Sequence, residues 1–162
     1  MIRIFKPSES NFQELAPFQN FRLETVMPRL GGRANSNHIM FDLRRLNPGH
    51  YSFPYHFHHN AEELFVIFSG TATLRTPDGF QKVEQGDLVF FGMGENSAHQ
   101  LFNHSDEPCV YLDIRTTREM DFTEYPDSGK VTVFPFHKVF EKDSEVDYFH
   151  GEENVDRYWE QE

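Results

Sequence analysis

The residues with the plainest capacity for chemistry lie in one stretch, Gly49-His50-Tyr51-Ser52-Phe53-Pro54-Tyr55-His56-Phe57-His58-His59-Asn60-Ala61-Glu62-Glu63. Two histidines two apart here precede a carboxylate by five residues. On an extended strand successive side chains point to opposite faces, so His56 and His58 project together with Cα atoms about 7 Å apart, and Phe57 points away. Two imidazoles at that separation can converge on one ion. The polar Asn60-Ala61 turn then brings the chain back, and Glu63 opens the next strand close to both histidines. Imidazole and carboxylate together suit borderline divalent ions such as Mn, Fe, Co, Ni or Zn. The chain holds nine histidines among 162 residues, and a His-X-His pair alone is more often part of a solvated strand than a ligand pair.

A second segment strengthens the case. Gly86-Asp87-Leu88-Val89-Phe90-Phe91-Gly92-Met93-Gly94-Glu95-Asn96-Ser97-Ala98-His99-Gln100-Leu101-Phe102-Asn103 reads as a glycine-led turn, a short apolar strand, a Gly-X-Gly loop and a further strand bearing one histidine. A lone histidine on such a strand is ordinarily a satisfied core residue.

The elements that must position these groups are strands. His38 to Leu46, Glu62 to Ser69, Thr71 to Thr76, Asp87 to Phe91, Ala98 to Asn103 and Cys109 to Thr116 are rich in β-branched and aromatic residues and carry no internal proline. Turn chemistry separates them at short intervals, as at Asn47-Pro48-Gly49, Pro77-Asp78-Gly79, Gln85-Gly86-Asp87 and Ser105-Asp106-Glu107-Pro108. This is the pattern of an all-β sandwich or barrel. Glu63 to Phe68 is apolar on both faces, which predicts cover on each side. Residues 1–36, interrupted by Pro7, Pro17 and Pro28, predict an irregular arm with short strands. After a barrel core of about 37–118, residues 119–162 form an extension. It offers a run from Val131 to Phe140 broken at Pro135, an acidic stretch read as solvated surface, and a short final helix capped by Asn154. No repeat or linker divides residues 1–162, which read as one domain.

Composition narrows the partners. A formal charge of −11, from 26 acidic and 15 basic residues, repels phosphate backbones and anionic membranes, so neither nucleic acid nor a membrane is an expected partner. The opening MIRIFKPSESN lacks the apolar run of a signal peptide, no stretch of about 18 apolar residues occurs, and the single cysteine, Cys109, fits a reducing compartment. The expected location is cytoplasmic, and Cys109 is expected to be an inert core thiol. The 18 Phe and 6 Tyr predict an aromatic-rich core.

At this point the sequence resembles the cupin superfamily. His56-Phe57-His58, four residues, Glu63, six residues and Gly70 reproduce the latter part of its first motif; Gly86, Gly92-Met93-Gly94, His99 and Asn103 follow the plan of its second. The likeness, strongest over 49–103, implies a double-stranded β-helix jelly roll whose interior holds one divalent transition metal (Mn, Fe, Zn, Ni or Co) on His56, His58, Glu63 and His99. Glu62 and His59 are rivals; the distance from Glu63 to Gly70 fits the motif, and Glu62 belongs to the opposite face. The wider sequence is similar to small bacterial cupins labelled as sugar phosphate isomerases. The chain departs from the pattern in three places: one extra residue between Gly49 and His56, Gly92 where a proline is usual, and two more residues between Gly94 and His99. The longer loop is expected to reshape the barrel mouth.

Three neutral imidazoles and one carboxylate would leave a divalent ion with a net charge near +1 and, in six-coordination, about two open positions. The resemblance implies a metal-dependent enzyme acting on a small oxygen-rich metabolite such as a sugar or sugar phosphate, by isomerisation. The alternatives are an Fe-dependent dioxygenase and a non-catalytic small-molecule binding or sensor module. Candidate acids or bases for isomerisation are His50, Tyr55 and Tyr111, with Tyr51 beside them. Exposed barrel edges and the aromatic arm predict a homodimer.

Overall fold

Alternating side chains and closely spaced turns produce a chain made largely of strands. The computed structural model describes residues 2–159. In chain order the strands are β1 (Phe12–Glu14), β2 (Leu23–Val26), β3 (Ile39–Leu46), β4 (Phe57–His58), β5 (Glu63–Ser69), β6 (Thr71–Thr76), β7 (Gly79–Glu84), β8 (Leu88–Phe91), β9 (Gln100–Phe102), β10 (Cys109–Thr116), β11 (Asp121–Tyr125), β12 (Lys130–Phe134) and β13 (Lys138–Glu141). One short helix, α1 (Leu30–Ala34), lies between β2 and β3. No helix among the described residues is long and apolar enough to cross a membrane.

The strands form a six-stranded sheet in the order β1-β2-β3-β10-β5-β8, a four-stranded sheet β13-β12-β11-β4 and a three-stranded sheet β7-β6-β9. Every pairing between these strands among the described residues is antiparallel, the jelly-roll arrangement that the resemblance implied. The two smaller sheets are joined end to end by a single antiparallel bridge between His56 and His99. Inward residues of both layers, among them Leu46, Phe65, Ile67, Leu74, Leu101 and Tyr111, make the main core. A second cluster, Val26, Leu30 and Leu43 with Phe5, Phe12, Phe41 and Leu112 against it, lets the N-terminal arm and α1 cover the outer face of β3 and β10.

β6 and β10 span the runs read from the sequence, and three other strands start one residue late. β9 is shorter than Ala98 to Asn103 because the Asn103 side chain serves the loops, donating to the carbonyls of Leu46 and Glu107 at 2.8 Å each. The run from Val131 splits at Pro135 into β12 and β13. Three expectations change. β5 buries Glu63, Phe65 and Ile67 but leaves Phe68 40% exposed, because the cover from α1 and the arm extends across β3 and β10 and stops short of β5. The barrel wall continues past residue 118: the two-residue β4 needs a partner, and β11 supplies it by pairing Thr123 with His58 and Glu124 with Phe57. The expected final helix is a 3₁₀ turn, Val155–Tyr158, with no side-chain cap from Asn154.

Cys109 is fully buried in the core, and burial pushes its thiol up to about 11, which makes it unreactive in the folded protein.

Gly70, the closing glycine of the first motif, has φ +74° between β5 and β6, and a Cβ there would meet the Pro108 carbonyl oxygen at 2.2 Å. Both the left-handed backbone and the approach of a second backbone exclude a side chain. Gly70→Ala is expected to destabilise the protein by about 2–4 kcal/mol, measured as a lowered urea midpoint at unchanged m-value.

Candidate metal centre

The site is assembled by three strand pairings. At the bridge between the smaller sheets, His56 and His99 exchange both backbone hydrogen bonds, at 2.9 and 3.2 Å, so their side chains share a face with ring centroids 4.6 Å apart. Two residues on, His58 lies beside Thr123 of β11. Glu63, at the start of β5, is held by pairing with Phe91 on one side and Arg115 on the other. All four side chains are buried.

Each imidazole has its Nδ1 occupied. That of His56 donates to the Pro54 carbonyl at 2.8 Å, and that of His99 to the Ser97 carbonyl at 2.9 Å. That of His58 meets the Asp121 carboxylate at 2.6 Å, with the Thr123 hydroxyl at 3.0 Å. Asp121 is fixed in turn by the Asn60 backbone N–H at 2.9 Å. These partners put the proton on Nδ1 and leave the Nε2 lone pair as the ligand atom, the arrangement that supports metal-bound histidine; that of His58 also meets the Arg115 guanidinium at 3.4 Å. His99 is further held by stacking on Phe91, centroids 3.7 Å apart.

One ligand atom from each of His56, His58 and Glu63 lies within 4.8 Å of the others. His99 stands beside this trio, its Nε2 3.0 Å from Glu63 Oε2. Neither of those two buried atoms has a hydrogen-bond partner. With the His99 proton on Nδ1, two lone pairs face each other across 3.0 Å in a dry interior, a repulsive contact that a cation between them would convert to an attractive one. The donor set of imidazole nitrogens and one carboxylate therefore fits a borderline divalent ion.

Electrostatics agree. Burial, reinforced by the neighbouring His99, pushes His56 down to about 3, so it is neutral and available as a ligand. Burial would raise the Glu63 carboxyl; positive charge at its imidazole neighbours, His99 foremost, lowers it by more, and with the rings neutral that charge is what a bound cation would supply. Beside Glu63, burial and the adjacent carboxylate push Asp113 up to about 7 against the pull of Arg44. Arg44 and Asp113 form a buried ion pair at 2.9 Å.

A chamber of about 160 Å³ includes His56, His58 and Glu63 in its wall, together with Asp113, Arg115 and Tyr125. None of the proposed acids and bases lines it. His50 sits at a turn, its carbonyl accepting from the Asn103 N–H. Tyr55 lies in a separate cluster with Phe57 and Ala98, under the Arg75 guanidinium at 4.0 Å. Tyr111 is in the main core against Phe65, with its hydroxyl raised well above the usual value by burial and the Asp113 charge. Tyr51 packs between Phe21 and Phe102. The rivals Glu62 and His59 are exposed, and His59 pairs with Glu124 at 3.1 Å. The longer loop after Gly94 buttresses the site: Gly94 N–H donates to the His58 carbonyl at 2.8 Å and Ser97 holds His99.

Sequence reading missed Arg44, Asp113, Arg115, Asp121 and Thr123. The available signal was charge at every second position of otherwise apolar strands, Asp42 and Arg44 in β3 and Asp113 and Arg115 in β10.

Residues 42–115, a little under half of the chain, match the cupin domain family, in keeping with this fold and with a His-His-Glu cluster that could hold a metal ion. Among solved structures, it resembles a sugar phosphate isomerase of the cupin superfamily from Silicibacter pomeroyi, at 19% identity and TM-score 0.77, covering 90% of this chain and 98% of that one. A protein from Acidithiobacillus ferrooxidans, provisionally described as a sugar phosphate isomerase, aligns at 22% identity and TM-score 0.75 over 89% and 95%. The polyketide cyclase RemF from Streptomyces resistomycificus aligns at 16% and TM-score 0.59 over 73% and 81%. No curated protein matches the chain in sequence.

The buried neutral state of His56 has a consequence in the metal-free protein. Its folded value of about 3 lies below the unfolded 6.5, so the unfolded chain gains a proton first as pH falls. Stability present above pH 6.5 is lost between about 6.5 and about 3. Across pH 6.5 to 4, the stability difference between wild type and His56→Gln should shift by about 1.4 kcal/mol per unit, read from urea unfolding series.

Proposed function

We propose that this protein is a metal-dependent enzyme that isomerises a small oxygen-rich metabolite of the sugar or sugar phosphate class, with His56, His58, Glu63 and His99 holding the ion. The observation that carries the reading is the facing of buried, unpartnered Glu63 Oε2 and His99 Nε2 beside two more imidazoles whose Nδ1 atoms are already engaged. A divalent ion bound there supplies Lewis acidity toward a carbonyl or hydroxyl oxygen.

Isomerisation also requires a group that takes a proton from one carbon and returns it to the next. Asp113, in the chamber wall beside Glu63, is our candidate in place of His50, Tyr55 and Tyr111. Arg44 orients its carboxylate. Phe53, Phe134 and Met40 line the same chamber and limit the water in contact with the reacting atoms. The sugar phosphate isomerase names of two similar structures support the substrate class; the cyclase on the same fold is the reason the reaction itself requires an assay.

Elemental analysis of protein purified without a histidine tag tests the site. Wild type should carry near-stoichiometric Mn, Fe, Co, Ni or Zn, and His56→Ala and His99→Ala should lose it. Asp121→Asn, which withdraws the support of His58, should bind the same ion about 10–100-fold more weakly. Manganese or zinc directs the next assay to aldose–ketose conversion, and iron to O₂ uptake. Wild-type protein that none of the five ions can load would sink the proposal.

We further infer a homodimer formed at the free edge of β8, where Leu88 and Phe90 are 69% and 63% exposed. Light scattering should give twice the monomer mass, and Phe90→Lys should reduce it to one chain; a monomeric wild type contradicts the inference.

A further inference from the structure

The metal chamber is too small to hold a substrate alone. Its 160 Å³ is about five water volumes, so a larger molecule must extend outward. Met40, Arg44, Phe53, Arg115 and Phe134 line both it and a neighbouring outer cavity of about 510 Å³. That cavity gathers Arg29, Arg44, Arg115 and Arg118 in a chain whose net charge is −11.

These arginines differ in what they already hold. Arg29 pairs with Asp42, and Arg44 with Asp113. Arg115, among the described residues, makes no salt bridge. Its nearest polar contacts are His58 Nε2 at 3.4 Å and Met40 Sδ at 4.0 Å, its guanidinium lies 5.2 Å from the Phe134 ring centroid, and its Nε is buried without a hydrogen-bond partner. Arg118, three residues on and exposed, likewise has no salt bridge among them. A half-buried guanidinium with an unsatisfied donor is unfavourable unless something outside the chain completes it. Its rigid fork matches an oxyanion that accepts two parallel hydrogen bonds.

We propose that Arg115 anchors an anionic oxygen group of the substrate, a carboxylate or a phosphate, with Arg118 closing on it from the rim. The substrate is therefore an acid or a phosphoester rather than a neutral sugar. Because Arg115 reaches His58 Nε2, the anion sits within a few bonds of the atoms that would meet the metal, which favours a short molecule. The proposal refines the isomerase reading, and the anion site itself requires no bound ion.

Calorimetric titration of chelator-treated protein with inorganic phosphate and with glycolate, in a zwitterionic buffer with chloride as the salt control, tests it. At least one anion should bind saturably and chloride should not compete at equal concentration. Binding of phosphate alone assigns a phosphoester substrate, and binding of glycolate alone a carboxylic acid. Arg115→Gln should weaken that binding at least tenfold while raising the ligand-free Tm by about 2–4 °C, since it removes a half-buried charge that makes no salt bridge among the described residues. A residue with only a structural role would do the reverse, lowering Tm and leaving binding intact. Arg115→Lys keeps the charge without the fork and should bind with intermediate strength, which covers the case of a poorly folded glutamine variant. Absence of saturable binding to wild type, or equal binding by Arg115→Gln, overturns the proposal. Metal content, measured on the same samples, reports separately on the isomerase reading.

Discussion

The site depends on one backbone contact, the bridge by which His56 and His99 exchange hydrogen bonds and join the two smaller sheets. Because the pair is hydrogen-bonded in both directions, its side chains are obliged to leave on the same face at close range. The bridge thus settles two matters at once: it closes the layer opposite the six-stranded sheet, and it sets two imidazoles 4.6 Å apart inside the barrel. Pro54 and Ser97, each two residues before its histidine, then rotate both rings by accepting from Nδ1. Chain closure and the placing of two candidate ligands thus come from the same two positions, the first through their backbones and the second through their side chains.

The interior around this bridge is unusually charged for a core. Arg44 and Asp113 are both buried, Glu63 lies beside them, and Arg115 completes the row. Removing such groups from water costs more than a simple ion pair returns, so an apolar replacement of the Arg44–Asp113 pair would serve stability as well or better. The arrangement makes sense if stability is not its purpose. Asp113 pairs with Arg44, while Glu63 and Arg115 form no salt bridge with each other and both line the chamber that contains the clustered histidines, Arg115 lying against His58.

Much of this was legible in the sequence, and the parts that were not have a common cause. Strict alternation fixed the strands and their facing, so His56 with His58 on one side and Glu62 away from Glu63 followed from parity alone. Turn residues placed most boundaries within one or two positions. Of the candidate acids and bases, Tyr55 precedes His56 by one residue and therefore turns to the opposite face, where it clusters with Phe57, while His50 and Tyr111 lie on segments whose facing parity does not tie to His56. Asp121 was hidden because its link to His58 spans 63 residues and arises only when β11 pairs with β4. Local pattern carries no information about such a pairing.

That last pairing also explains why close likeness of fold leaves chemistry open. The family match ends at residue 115, at the strand that holds Asp113 and Arg115. Asp121, Thr123, Tyr125 and Phe134, which orient His58 or wall the chamber, all come from the segment beyond it. The matched portion holds the side chains that could ligate an ion, and a ligand set of that kind does not by itself fix a reaction. The unmatched portion supplies the support of one ligand, the far wall and part of the mouth. The chamber that would meet a substrate is therefore built from both portions, with Arg44, Asp113 and Arg115 inside the matched residues and Thr123, Tyr125 and Phe134 outside them.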